Sequence, residues 1–144
     1  MKLLTPEITK RLSVDIPRQI PCLKLLVLFG SQVKETAHAQ SDWDLAILAA
    51  DGIDETLGDW GEFALYEKLG CLLQIPSDRI DIVNLKHCSP LLGYIVAREG
   101  RVLYEAGQDF LDFQLRAWKI YADTVKLRSY TQEYLRQELE RLGK

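Results

Sequence analysis

Asp42-Trp43-Asp44 follows a Gly30-Ser31 pair across ten intervening residues. Each part of this spacing has a chemical reading. If the apolar run from Trp43 is a strand, its two-residue side-chain period puts Asp42 and Asp44 on one face and Trp43 on the other. Carboxylates held side by side repel each other, and a divalent cation relieves that repulsion. Magnesium suits the position. It prefers oxygen and is held by one or two carboxylates together with substrate phosphates. Glycine at 30 lets the chain turn sharply and lets a phosphate approach the backbone. Ser31 adds a hydroxyl, and a helix opening here would add a positive dipole end. Asp81, inside Arg79–Leu85 (RIDIVNL), completes the cluster if its strand lies beside that of Asp42 and Asp44. Paired metal ions clamp the attacking and leaving oxygens of an in-line displacement. A third carboxylate can hold the second ion and draw the proton from an attacking hydroxyl.

Each motif alone is weak. Gly-Ser after a strand is an ordinary turn, Asp-x-Asp is common in solvated loops, and an exposed sheet edge would excuse Asp81. The joint pattern arises by chance on the order of once in several hundred chains of this composition. His87-Cys88 could begin a zinc site, but two further ligands are missing. Cys22, Cys71 and Cys88 are odd in number and show no C-x-x-C spacing, which reads as thiols in a reducing compartment.

The elements that must position these residues can be traced in order. Thr5 can cap a helix whose first turn holds Pro6, with Ile8 and Leu12 on one face; Pro17 and Pro21 are expected to break it. Leu23–Phe29 (LKLLVLF) reads as a buried strand. Residues 32–41 begin as a helical turn and end as a loop. Trp43–Ala49 (WDLAILA) is a second strand, ended by an Asp51-Gly52 turn. Residues 54–73 carry an imperfect helical stripe that includes Leu57, Trp60, Phe63 and Leu69, stopped by Pro76. Residues 79–85 form a third strand, with Ile80, Ile82 and Asn84 on one side and Asp81, Val83 and Leu85 on the other. Ser89-Pro90 opens a short helix through Ala97, and 101–104 is a short edge strand. No proline or glycine interrupts residues 108–142, which read as one long helix or two with a kink. Its stripe of Leu111, Leu115, Trp118, Tyr121 and Val125 reads as core or partner surface. Strands with helices between and after them give an α/β domain with a small mixed sheet.

A chain of 144 residues is about one domain and can bury a core without disulfide or metal staples. The expected division is a core over about 20–105 and a helical segment over about 108–142. The net charge of −3 lacks the basic footprint of proteins that bind long nucleic acids. No apolar run is long enough to span a bilayer, and charged residues come too early for a signal peptide. A cytoplasmic protein is expected.

Gly30-Ser31-x10-Asp42-x-Asp44, followed by Asp81 in a later strand, resembles the minimal nucleotidyltransferase family of the DNA polymerase beta-like superfamily. The resemblance runs from about Leu23 to Leu85 and more diffusely beyond. Larger members carry extra domains for the base or the acceptor, for which this chain has almost no room. The chain is most similar to the small antitoxins paired with HEPN-domain toxins. The resemblance implies a magnesium-dependent enzyme that moves AMP from ATP to a tyrosine of the toxin ribonuclease and silences it. Gly30 and Ser31 would bind the triphosphate, and Asp42, Asp44 and Asp81 would hold two magnesium ions. The family often has arginine after Gly-Ser. Here Gln32 stands there and the nearest cation is Lys34, so Lys34 or a partner's arginine would supply the phosphate contact. Two other readings compete: an antitoxin that acts by contact alone, and an enzyme with a small-molecule acceptor. A structural domain with a fortuitous motif is the third.

Overall fold

The computed structural model describes residues 5–33, 42–50 and 61–143. Four strands, β1 (Leu23–Phe29), β2 (Trp43–Ala49), β3 (Ile80–Asn84) and β4 (Arg101–Glu105), form one sheet in the order β3-β2-β1-β4. β1 is antiparallel to both of its neighbours, and β2 runs parallel to β3. The sheet is therefore mixed. Helices α1 (Pro6–Gln19) and α2 (Gly61–Leu73) cover one face, and α3 (Pro90–Glu99) and α4 (Asp109–Leu142) cover the other.

Alternation along the strands divides the core between the faces. Leu45, Ile47, Ile80 and Ile82 join Leu12, Ile16, Leu69 and Leu73 on the α1/α2 side. Ala46, Leu48, Val83 and Leu85 join Val96, Ala97 and Phe113 on the α3/α4 side. β1 is buried on both faces, which is why its sequence is almost continuously apolar. Leu26 is fully buried in this central strand. Leu26→Ala is expected to lower unfolding free energy by about 3 kcal/mol, measurable by urea titration.

The cap on α1 is as expected: Thr5 Oγ1 accepts from the Ile8 N–H at 3.3 Å. Pro17 does not break this helix. It lies in the last turn, where its missing N–H forfeits one hydrogen bond while Ile16 and Ile20 are buried on either side. α3 runs two residues past the expected Ala97, and Ser89 Oγ caps it by accepting from the Leu92 N–H at 3.2 Å. The Asp51-Gly52 turn, Leu57 and Trp60 lie outside the described residues; the described helix begins at Gly61.

α4 is a single helix of 34 residues, about 51 Å long at 1.5 Å per residue. Its sequence stripe is not core. Leu111, Leu115, Trp118 and Val125 are exposed, and the buried positions are Phe113 and Ala117. The packed side carries one small and one polar residue: Ala117 allows close approach, and Gln114 Nε2 donates to the Ala97 carbonyl at 3.0 Å. Tyr121 bridges the two sides by stacking on Tyr94 of α3 with ring centroids 4.1 Å apart. Among the described residues no helix is long and apolar enough to cross a membrane.

Candidate active site

The site is built where β1 ends and β2 and β3 begin. In the antiparallel register Phe29 stands opposite Asp44. The chain then turns through a single 3-10 turn, Gly30–Gln32, closed by the Val33 N–H donating to the Gly30 carbonyl at 3.2 Å. Gly30 has φ +80°, a conformation that side-chain-bearing residues rarely adopt. A Cβ at this position would overlap Asp44 Oδ2 and lie 3.1 Å from its Cγ. Glycine is thus required twice, for its backbone angle and for the space the carboxylate fills.

The parallel register sets Asp44 directly beside Asp81, on strands about 4.8 Å apart. Both belong to the α3/α4 face, since Leu45 and Ile82 point to the other side. Asp42 precedes β2 by one residue and reaches the same face by alternation. Asp44 is half-buried, and Asp42 and Asp81 are exposed. Burial is the largest influence pushing the Asp44 carboxyl above its ordinary range, followed by the negative charges of Asp81 and then Asp42. The geometry therefore brings Gly30, Asp44 and Asp81 together and puts Asp42 within electrostatic reach. Ser31 and Gln32 complete the turn, both half-buried. Lys34 lies outside the described residues.

Two side chains that the motif does not name hold this arrangement. Trp43 packs into the α1/α2 core between the two aspartates in sequence, fixing which way they face. Tyr66 of α2 accepts a hydrogen bond from the Ile82 N–H through its hydroxyl at 3.2 Å. β3 is an edge strand, so this bond satisfies a main-chain group one residue from Asp81. Trp43 was legible as the odd position of Asp-x-Asp. Nothing in the sequence around Tyr66 announces its role.

Among the described residues no group of three or more His, Cys, Asp or Glu side chains is placed to hold a metal ion together. The donors present are carboxylate oxygens, and the charges of Asp81 and Asp42 add to burial in raising the proton affinity of Asp44. An open, all-oxygen set of this kind fits magnesium, which takes few protein ligands and completes its shell with water and phosphate oxygens. With a glycine turn alongside, the arrangement suits displacement at a nucleotide phosphorus.

Comparison with known proteins identifies the family of the chain. The family model described as Polymerase beta, Nucleotidyltransferase matches residues 15–109. The protein adenylyltransferase MntA of Aphanizomenon flos-aquae is 38% identical over 138 residues, covering 93% of this chain and 92% of that one. A chain from the crystal structure of a toxin–antitoxin with AMP-PNP superposes with a TM-score of 0.66 at 28% identity, covering 88% of this chain and 97% of that chain. A chain from a tri-AMPylated Shewanella oneidensis HEPN toxin in complex with MNT antitoxin gives a TM-score of 0.61 at 26% identity, covering 90% and 96%. The chain belongs to the polymerase beta-type nucleotidyltransferase family and is a homologue of the MntA antitoxins of HEPN–MNT toxin–antitoxin systems.

Proposed function

We propose that this chain is a cytoplasmic antitoxin that transfers AMP from ATP to a tyrosine of a HEPN toxin and so inactivates it. The observation that carries the reading is the in-register pairing of Asp44 with Asp81 beside the Gly30 turn. The similarity to a protein adenylyltransferase over nearly the whole chain supports it.

The β and γ phosphates of ATP lie over the turn at Gly30 and Ser31. Asp42 and Asp44, with Asp81, would hold magnesium, which when bound neutralises phosphate charge and polarises the α-phosphoryl group. Asp81, the more exposed partner of the pair, takes the proton of the acceptor hydroxyl. The tyrosine oxygen forms a bond to the α-phosphorus as the bond from that phosphorus to the bridging oxygen breaks. Pyrophosphate leaves with the electron pair. The protein contributes mostly orientation and charge placement. Gln32 is a neutral residue in the turn, so the cation at the phosphates comes from Lys34 or from the toxin.

The exposed apolar side of α4 favours a second reading, in which contact alone silences the toxin. Mass spectrometry of the cognate toxin after incubation with this chain, ATP and magnesium separates the two. The expected result is a toxin heavier by one or more AMP units, with pyrophosphate released in equal amount. An unmodified toxin that is nevertheless silenced, with Asp42→Ala protecting as well as wild type, would establish the contact mechanism instead.

A further inference from the structure

At the end of the sheet away from Asp44 there is a cavity of about 590 Å³. Leu23 pairs with Ala49 at this end and Phe29 with Asp44 at the other, six residues or about 20 Å along the strand. Leu48, Leu85 and Phe113 give the cavity apolar walls, and Lys24, Lys86 and Arg116 bring three cations to it. Among the described residues no carboxylate lines it. The amino end of α3 also opens here, through Ser89 and Pro90, and contributes the positive end of a helix dipole. The volume falls within the range of small-molecule sites, and an apolar lining with few convergent polar groups is their usual construction.

We propose that this cavity is a second ligand site, separate from the transfer site, for a nucleoside monophosphate. The planar base rests against Leu48 and Phe113, and the phosphate is directed to Lys24 and Arg116. A bare inorganic anion would use the cations and leave the apolar walls unsatisfied, so the organic body contributes to affinity.

The test is a titration of the Asp44→Asn protein with AMP in the presence of EDTA, followed through backbone amide NMR shifts. Saturable shifts at Leu48, Ser89, Arg116 and Ala117 are expected, with inorganic phosphate binding at least tenfold more weakly. Adding Arg116→Glu should weaken AMP binding at least tenfold. Arg116 is exposed, so the same substitution in the otherwise native protein should leave the circular dichroism spectrum and AMP transfer unchanged. Shifts confined to Gly30–Gln32 and position 44 would overturn the proposal. Undiminished binding in the Arg116→Glu protein would do the same, as would equal affinity for AMP and phosphate. The titration uses a protein disabled for transfer, so its outcome is independent of whether the chain modifies a toxin.

Discussion

Replacing Asp44 with asparagine is expected to reduce AMP transfer by roughly a thousandfold, about 4 kcal/mol, while raising the melting temperature of the metal-free protein. The two effects have one origin. Asp44 lies between the Gly30 turn and Asp81, half-buried, with its carboxyl pushed to a higher range by burial and by its acidic neighbours. The folded state therefore holds the Asp44 proton more tightly than the unfolded state does. Stability falls as pH rises from the ordinary carboxylate value of 3.8 through the raised folded-state value, and at neutral pH the penalty is fully present. Asparagine keeps the shape and removes the charge, so the penalty disappears together with the metal ligand. Magnesium should stabilise the wild-type protein against heat and have much less effect on the variant. Thermal melts at pH 7 with magnesium or EDTA, alongside transfer of labelled AMP, provide both readouts. Transfer that persists in the variant, or a wild-type protein indifferent to magnesium, would remove Asp44 from the metal site.

The second large effect is expected from a single added methyl group. Gly30→Ala must adopt φ +80°, which is unfavourable for an L-residue by about 1–2 kcal/mol, and its Cβ would overlap the Asp44 carboxylate. Either the turn or the carboxylate moves. Displacement of a reacting group by about 1 Å lowers rate on the order of a hundredfold. Transfer should fall by that amount, and stability should fall by about 2 kcal/mol. The direction of the stability change sets this variant apart from Asp44→Asn, which also loses transfer but melts higher. If the overlap is the cause, Gly30→Ala should be less destabilising in an Asp44→Ala background, and the coupling should appear in a double-mutant cycle by urea titration.

How much of this was legible in the sequence depends on the element. β1 and β2 fall at the expected residues because their apolar runs are bounded by polar or turn-forming residues on both sides. β3 is shorter than its pattern by one residue at each end, yet its faces are as expected. Gly30, Ser31, Asp42 and Asp44 could be grouped from spacing because a strand's period fixes which side chains share a face. That Asp81 is level with Asp44, rather than one residue above or below, could not be read from residue types. It follows from the β2–β3 register, which long-range packing decides. Of the two readings of the α4 stripe, core and partner surface, only the core reading fails, for a related reason. Large apolar residues mark a helix face, but Phe113, Ala117 and Gln114 make the side that packs here, and two of the three carry no strong apolar signal. Pro17 shows the same priority: local chemistry argues for a break, and the burial of Ile16 and Ile20 overrides it.

The mixed sheet has a consequence for which backbone meets the site. In open parallel sheets ligands gather beyond the carboxyl ends of the strands, where helix amino termini greet anions. Here the aspartates stand at the amino ends of the parallel pair β2 and β3, and α3 opens at the far end. The backbone that enters β2 and β3, rather than the backbone that leaves them, therefore adjoins the carboxylates.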